Sequence, residues 1–227
     1  MSAHAFGLLG AALSMSIAWP QVFLSCVRRR TGGLSPAAVL LSVAMPAGWL
    51  TYGLLIGDRI QVVSNTLNLI AGVAVLIALL AGRPNLRGAA SIAGPVFFAI
   101  CAAASSVLLP HVTAARAGAL LGTVLALSSL LSALPQPVAL LRDRAQDISG
   151  LSAARFRLAT AASSAWLVYG LGTGQPAVWA SALVGVVSAV TVCFVLTGRR
   201  TTVDPAAFGT PQWRDTVITR SLAVTGV

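Results

Sequence analysis

Long apolar blocks, separated by short segments that carry arginines, make up most of the chain. Seven can be drawn, at about 5–27, 36–56, 60–81, 89–110, 115–141, 151–172 and 176–197. A helix needs about 20 apolar residues to cross a bilayer, and each block is close to that length. The apolar residues fill the blocks instead of marking one stripe along each. The pattern therefore predicts an all-α membrane protein with seven transmembrane helices embedded in a lipid bilayer. After Arg200 the chain turns mixed and polar, with Pro205 and Pro211, and residues 198–227 are expected to form a disordered cytoplasmic tail.

Composition agrees with this pattern. Hydrophobic residues are 57% of the chain and charged ones 9%, against about 25% charged in a soluble domain. The net charge of +10 does not signal nucleic acid, because the arginines sit at block ends and form no stripe with interleaved aromatics. They do set sidedness. Odd-numbered loops and the tail hold thirteen arginines and even-numbered loops two. Basic residues in short loops stay in the cytoplasm, so the amino terminus is expected outside and the carboxyl terminus inside a cell membrane. The first block is not expected to be a signal peptide, since Arg28, Arg29 and Arg30 follow it and no basic residue precedes it. All basic residues are Arg and all acids Asp, which points to a bacterial source. Cys26, Cys101 and Cys193 stand alone, so neither a disulfide framework nor a metal site is expected. No His, Asp, Glu or Cys cluster and no phosphate loop marks an enzyme, and no cofactor is expected.

The chain repeats itself. Pro20-Gln21 returns as Pro135-Gln136, a shift of 115 residues, and "WLTYGLLIG" at 49–57 returns as "WLVYGLGTG" at 166–174, a shift of 117. Each copy spans three blocks. Three spans would invert the second copy, yet the arginines place both the same way up, so one further span must separate them. The division is then a first triple-helix repeat at 5–81, a linker helix at 89–110, a second repeat at 115–197 and the tail.

Within each repeat a few residues stand out. Trp49 precedes the Gly57-Asp58 turn by about as much as Asn65 follows it, so the two lie at matching depth, roughly 10–12 Å from the helix ends. A ring beside an amide suits a sugar; core packing and a helix-to-helix hydrogen bond account for them equally. Pro20 and Pro135 each remove a helix donor, freeing the carbonyls of Ser16 and Leu131. The resulting kinks serve as fixed bends or as hinges for alternating access.

Pro-Gln in the first helix, Trp49, Tyr52 and Gly53 ending the second, Asn65 in the third and a second Trp-x-x-Tyr-Gly in register resemble the SWEET and SemiSWEET sugar transporters of the PQ-loop superfamily. The resemblance covers about residues 5–198. It implies a 3+1+3 arrangement of parallel repeats around one path, and passive movement of a small sugar as the two halves rock. It assigns substrate binding to Trp49, Asn65 and Trp166, with Ser16 and Ser128 as further candidates. It assigns hinges to Pro20, Pro135 and Pro36, and gates to Gln21, Gln136, Tyr52, Tyr169 and Asp58. A homo-oligomer is compatible with it. The sequence departs from the family pattern at Ala182, where the second pocket amide belongs, and at Ala153, the counterpart of Pro36. Two alternatives stay open: a PQ-loop carrier of amino acids or other small solutes, proton-coupled or not, and a non-transporting receptor or scaffold of the same fold. All five Asp residues lie in loops, block ends or the tail, which favours passive transport, because proton-coupled carriers place an acid inside the membrane.

Overall fold

A computed structural model describes residues 2–29, 31, 34, 36–82, 113–142 and 153–201. The expected linker helix at 89–110 and the tail from residue 202 lie outside them. The described residues form seven α-helices: α1 Ala3–Val22, α2 Pro36–Ile56, α3 Arg59–Gly82, α4 Ala114–Ala133, α5 Pro135–Arg142, α6 Ala153–Gly172 and α7 Pro176–Thr201. A π-helical turn, Phe23–Val27, extends α1. Five stretches are long and apolar enough to cross a membrane: Ala3–Val27, Ala38–Ile56, Arg59–Gly82, Ala114–Ala133 and Pro176–Gly198. This is a multi-pass membrane protein. Helix α6 falls short of the other five because Arg155 and Arg157 open it and Thr160, Ser163 and Ser164 occupy its middle.

Two hairpins are built by the same turn. At the end of α2, Gly57 adopts φ +71°, and the N–H groups of Gly57 and Asp58 donate to the carbonyls of Leu54 and Gly53. At the end of α6, Gly174 adopts φ +67°, and Gly174 and Gln175 donate to Leu171 and Gly170. Both are Schellman closures, which need a left-handed residue that only glycine adopts without strain. The next helix is started differently in each. Asp58 Oδ1 accepts from the N–H groups of Ile60 and Gln61, at 2.9 and 3.1 Å. After Gln175, Pro176 opens α7, where its missing donor would have gone unpaired anyway.

The helices close a ring. Contacts run from α1 to α3, α3 to α2, α2 to α4, α4 to α7, α7 to α6 and α6 back to α1. Exchanging α1 with α4, α2 with α6 and α3 with α7 maps the ring onto itself. Exposed Phe194, Leu131, Leu54 and Ile77 face outward, as a surface bathed in lipid requires. One end of the bundle carries the two glycine turns. The other carries Arg28, Arg29, Arg142, Arg155 and Arg157.

The two prolines act differently, which the expectation of matching kinks did not anticipate. Pro20 lies inside α1, and the helix widens into its π turn three residues later, where Arg28 N–H reaches Phe23 O at 3.1 Å. At the second site the helix breaks: α4 ends at Ala133 and α5 begins at Pro135. The reason is Pro137. Two prolines two residues apart remove the donors for both Leu131 and Ala133. The Ala133 carbonyl accepts instead from Ser188 Oγ of α7 at 3.0 Å.

Candidate functional site

A cavity of about 210 Å³ lies at the centre of the ring, and all six long helices line it. Ser14 comes from α1, Trp49 from α2, Ser129 from α4, and Ser163 and Trp166 from α6. Gln61, Ser64, Asn65 and Asn68 come from α3, and Val178, Ser181 and Ala182 from α7. Three of the expected binding residues, Trp49, Asn65 and Trp166, are thus brought together. Ser16 and Ser128 are not. Their hydroxyls donate back to Ala12 O and Val124 O of their own helices. A helix turns 100° per residue, so the neighbouring Ser14 and Ser129 occupy the cavity-facing positions instead.

The two tryptophans have matching surroundings. Each stands edge-on to the tyrosine three residues later, Trp49 to Tyr52 at 5.4 Å and Trp166 to Tyr169 at 5.6 Å between ring centres. Each tyrosine packs on a glycine of the other repeat's first helix, Tyr169 on Gly7 and Tyr52 on Gly122. The match ends at the hydrogen bonds. Trp166 Nε1 donates to Ser14 Oγ at 3.1 Å, which ties α6 to α1.

Between the cavity and the glycine turns the two repeats are tied together. Tyr169 Oη donates to Asp58 Oδ2 at 2.6 Å, and Gln175 Nε2 donates to the same oxygen at 2.8 Å. Asp58 therefore starts α3 with one oxygen and ties α6 and α7 to the α2–α3 turn with the other. Charge-assisted bonds of this kind are roughly twice as strong as neutral ones. Gln175 is the residue 117 positions after Asp58, so the second copy holds an amide where the first holds an acid. The carbonyl of that amide, Oε1, is buried without a partner.

Toward the arginine end lies a larger cavity of about 580 Å³, with Ser14 and Asn68 common to both linings. Ile17, Pro20, Gln21 and Leu24 of α1, Ser42 and Pro46 of α2, Gly72 and Val75 of α3, and Arg155 of α6 are among its walls. Gln21 Nε2 donates to the buried Ser25 Oγ at 2.9 Å. Pro36 is the first residue of α2. The side chains of Pro135 and Gln136 lie outside the described residues. Neither cavity has an acid in its described lining.

A closed six-helix ring of this kind can be compared with solved structures. A eukaryotic SWEET transporter, solved at 3.7 Å, matches with a TM-score of 0.73 over 88% of this chain and 97% of the other, at 16% sequence identity. The chain has a SWEET-like fold. No protein-family model matches the sequence, and no curated protein sequence is similar to it.

The structure adds residues to this cavity that sequence reasoning passed over. Gln61 and Asn68 lie four before and three after Asn65, on the same helix face, and are polar positions in an otherwise apolar block. That spacing alone would have found them. Gln175 was reachable by carrying the 117-residue shift one step further, from Tyr169 to the turn.

Proposed function

We propose that the chain is a membrane carrier that moves a small sugar down its gradient by alternating access, with the central cavity as its binding site. One observation carries this reading. Trp49, Trp166 and the α3 amides line a central cavity, Asp58 ties the two repeats together between that cavity and the glycine turns, and a wider cavity that shares Ser14 and Asn68 lies toward the arginine end. A central site with a tie between repeats on one side and open space on the other suits one state of an alternating-access cycle. Sugar rings offer apolar C–H faces for Trp49 and Trp166 and hydroxyls for Asn65 and the cavity serines.

In this reading the arginine end is cytoplasmic, by the charge asymmetry of the loops. Asp58, Tyr169 and Tyr52 form the outer gate, Gln21 and Gln136 line the inner exit, and Pro20, Pro135 and Pro36 are the bending points. The absence of an acid from the described cavity walls supports passive transport over proton coupling. The test is uptake into proteoliposomes of a panel of labelled sugars and amino acids. Sugar uptake that equilibrates without concentrating is expected. Uptake of amino acids alone would refute the reading.

A further inference from the structure

Three amides run down one face of α3: Gln61, Asn65 and Asn68, at spacings of four and three residues, over about 10 Å of depth. Their hydrogen bonds decide what each has left for a ligand. Asn65 Nδ2 donates to the Gln61 backbone O at 2.9 Å and to Gln61 Oε1 at 2.8 Å. A carbonyl oxygen only accepts, so the first bond fixes which end of the Asn65 amide is nitrogen. Both hydrogens are spent inside α3, and Asn65 can meet a ligand only through Oδ1, as an acceptor. Gln61, accepting through Oε1, keeps Nε2 as a donor.

Asn68 is different. Its Oδ1 is buried without any partner, on a residue that belongs to the linings of both cavities. A buried amide without a partner destabilises the fold, so a position that keeps one asks for a partner from outside the protein.

The equivalent positions of the facing helix hold no amide. The positions 117 residues on from Gln61, Asn65 and Asn68 are Val178, Ala182 and Gly185. At Gly185 a Cβ would stand 2.7 Å from Ser163 Oγ, so a side chain there would require Ser163 to turn away. The second repeat uses that position to bring α7 against α6, and the first uses it to hold an amide.

We propose that Asn68 is a specificity-determining residue for the transported molecule: it hydrogen-bonds a hydroxyl of the sugar at the wall shared by the two cavities. Recognition then comes from the amide face of α3, and the ligand passes from Asn65 to Asn68 while sliding on the small residues of α7. This rests on the sugar-carrier reading above.

The experiment measures binding of D-glucose, D-galactose, D-fructose, sucrose and trehalose to the purified full chain, and then of the monodeoxy analogues of the tightest binder. Asn68→Ala is expected to weaken binding about tenfold, or about 1.4 kcal/mol, with a melting temperature that holds or rises because the stranded amide is gone. One monodeoxy analogue should bind the wild type about tenfold more weakly than its parent, and Asn68→Ala should no longer distinguish the two. If Asn68→Ala does not fold, Asn68→Ser is read by the same analogue comparison. Should the Asn68 variants bind every sugar and analogue as the wild type does, while Asn65→Ala does not, the inference falls and the sugar reading stands. A lowered melting temperature with an unchanged analogue profile also overturns it, since the amide is then structural. A wild type that binds none of the sugars overturns both.

Discussion

At the residue scale, two positions concentrate the asymmetry between repeats. Asn65 faces Ala182 across the centre, and Asp58 faces Gln175 at the glycine-turn end. Asn65→Ala removes the acceptor beside Trp49 and is expected to weaken sugar binding by about 1–3 kcal/mol, while Ala182→Ser changes little; equilibrium binding with a melting-temperature control checks both. Asp58→Ala removes two kinds of bond at once, the start of α3 and the tie to Tyr169 and Gln175. The cap alone is worth about 0.5–2 kcal/mol, so a lower melting temperature is expected. Asp58→Asn keeps an oxygen for the cap and only weakens the tie, because the partnerless Gln175 Oε1 can turn to accept from the new amide. In a background lacking the native cysteines, a cysteine placed at Ser181 should react with an impermeant thiol reagent from the Asp58 end faster in Asp58→Ala than in Asp58→Asn. Equal rates for the two variants and the parent would remove Asp58 from the gate.

At the element scale, the two proline sites differ in kind. Pro20→Ala gives the Ser16 carbonyl its helix donor back and straightens a continuous helix. We expect correctly inserted protein with slower transport and nearly unchanged affinity. Pro135→Ala supplies only the Leu131 carbonyl, because Pro137 still withholds the donor for Ala133 and Ser188 still serves that carbonyl. It should therefore slow transport less than Pro20→Ala does. Uptake rates measured beside binding constants separate the two effects, and rates equal to wild type in both variants would make the prolines fixed bends.

At the scale of the whole molecule, the arginines predict one orientation in the membrane. Reporter fusions at residue 88 and at the carboxyl end should both report cytoplasm, and a fusion at residue 112 should report the outside. A reversal at any of the three would break the link between the arginine end and the inner exit. With no acid in the described cavity walls, a protonophore should leave equilibrative uptake in energised vesicles unchanged; loss of uptake would favour a proton-coupled carrier.

The sequence by itself determined the helical character of the chain, the positions of the blocks and the matching depth of Trp49 and Asn65, because lipid demands long apolar helices and depth follows from counting residues from the turn; that Trp49, Asn65 and Trp166 share one cavity was implied only by the family resemblance. It also contained the face of Gln61, Asn65 and Asn68, which needed only the helical period. Only the tertiary structure decided which serines reach the cavity. Ser14 and Ser16 are equally polar in sequence, and the packing of α1 against α6 and α3 selects between them. The same is true of the tie from Tyr169 to Asp58, whose partners lie 111 residues apart in the chain, and of the Ser188 hydroxyl of α7 that serves the Ala133 carbonyl left without a donor by Pro137. Depth along a helix follows from counting residues; rotation about the helix axis is set by the neighbours that close the ring.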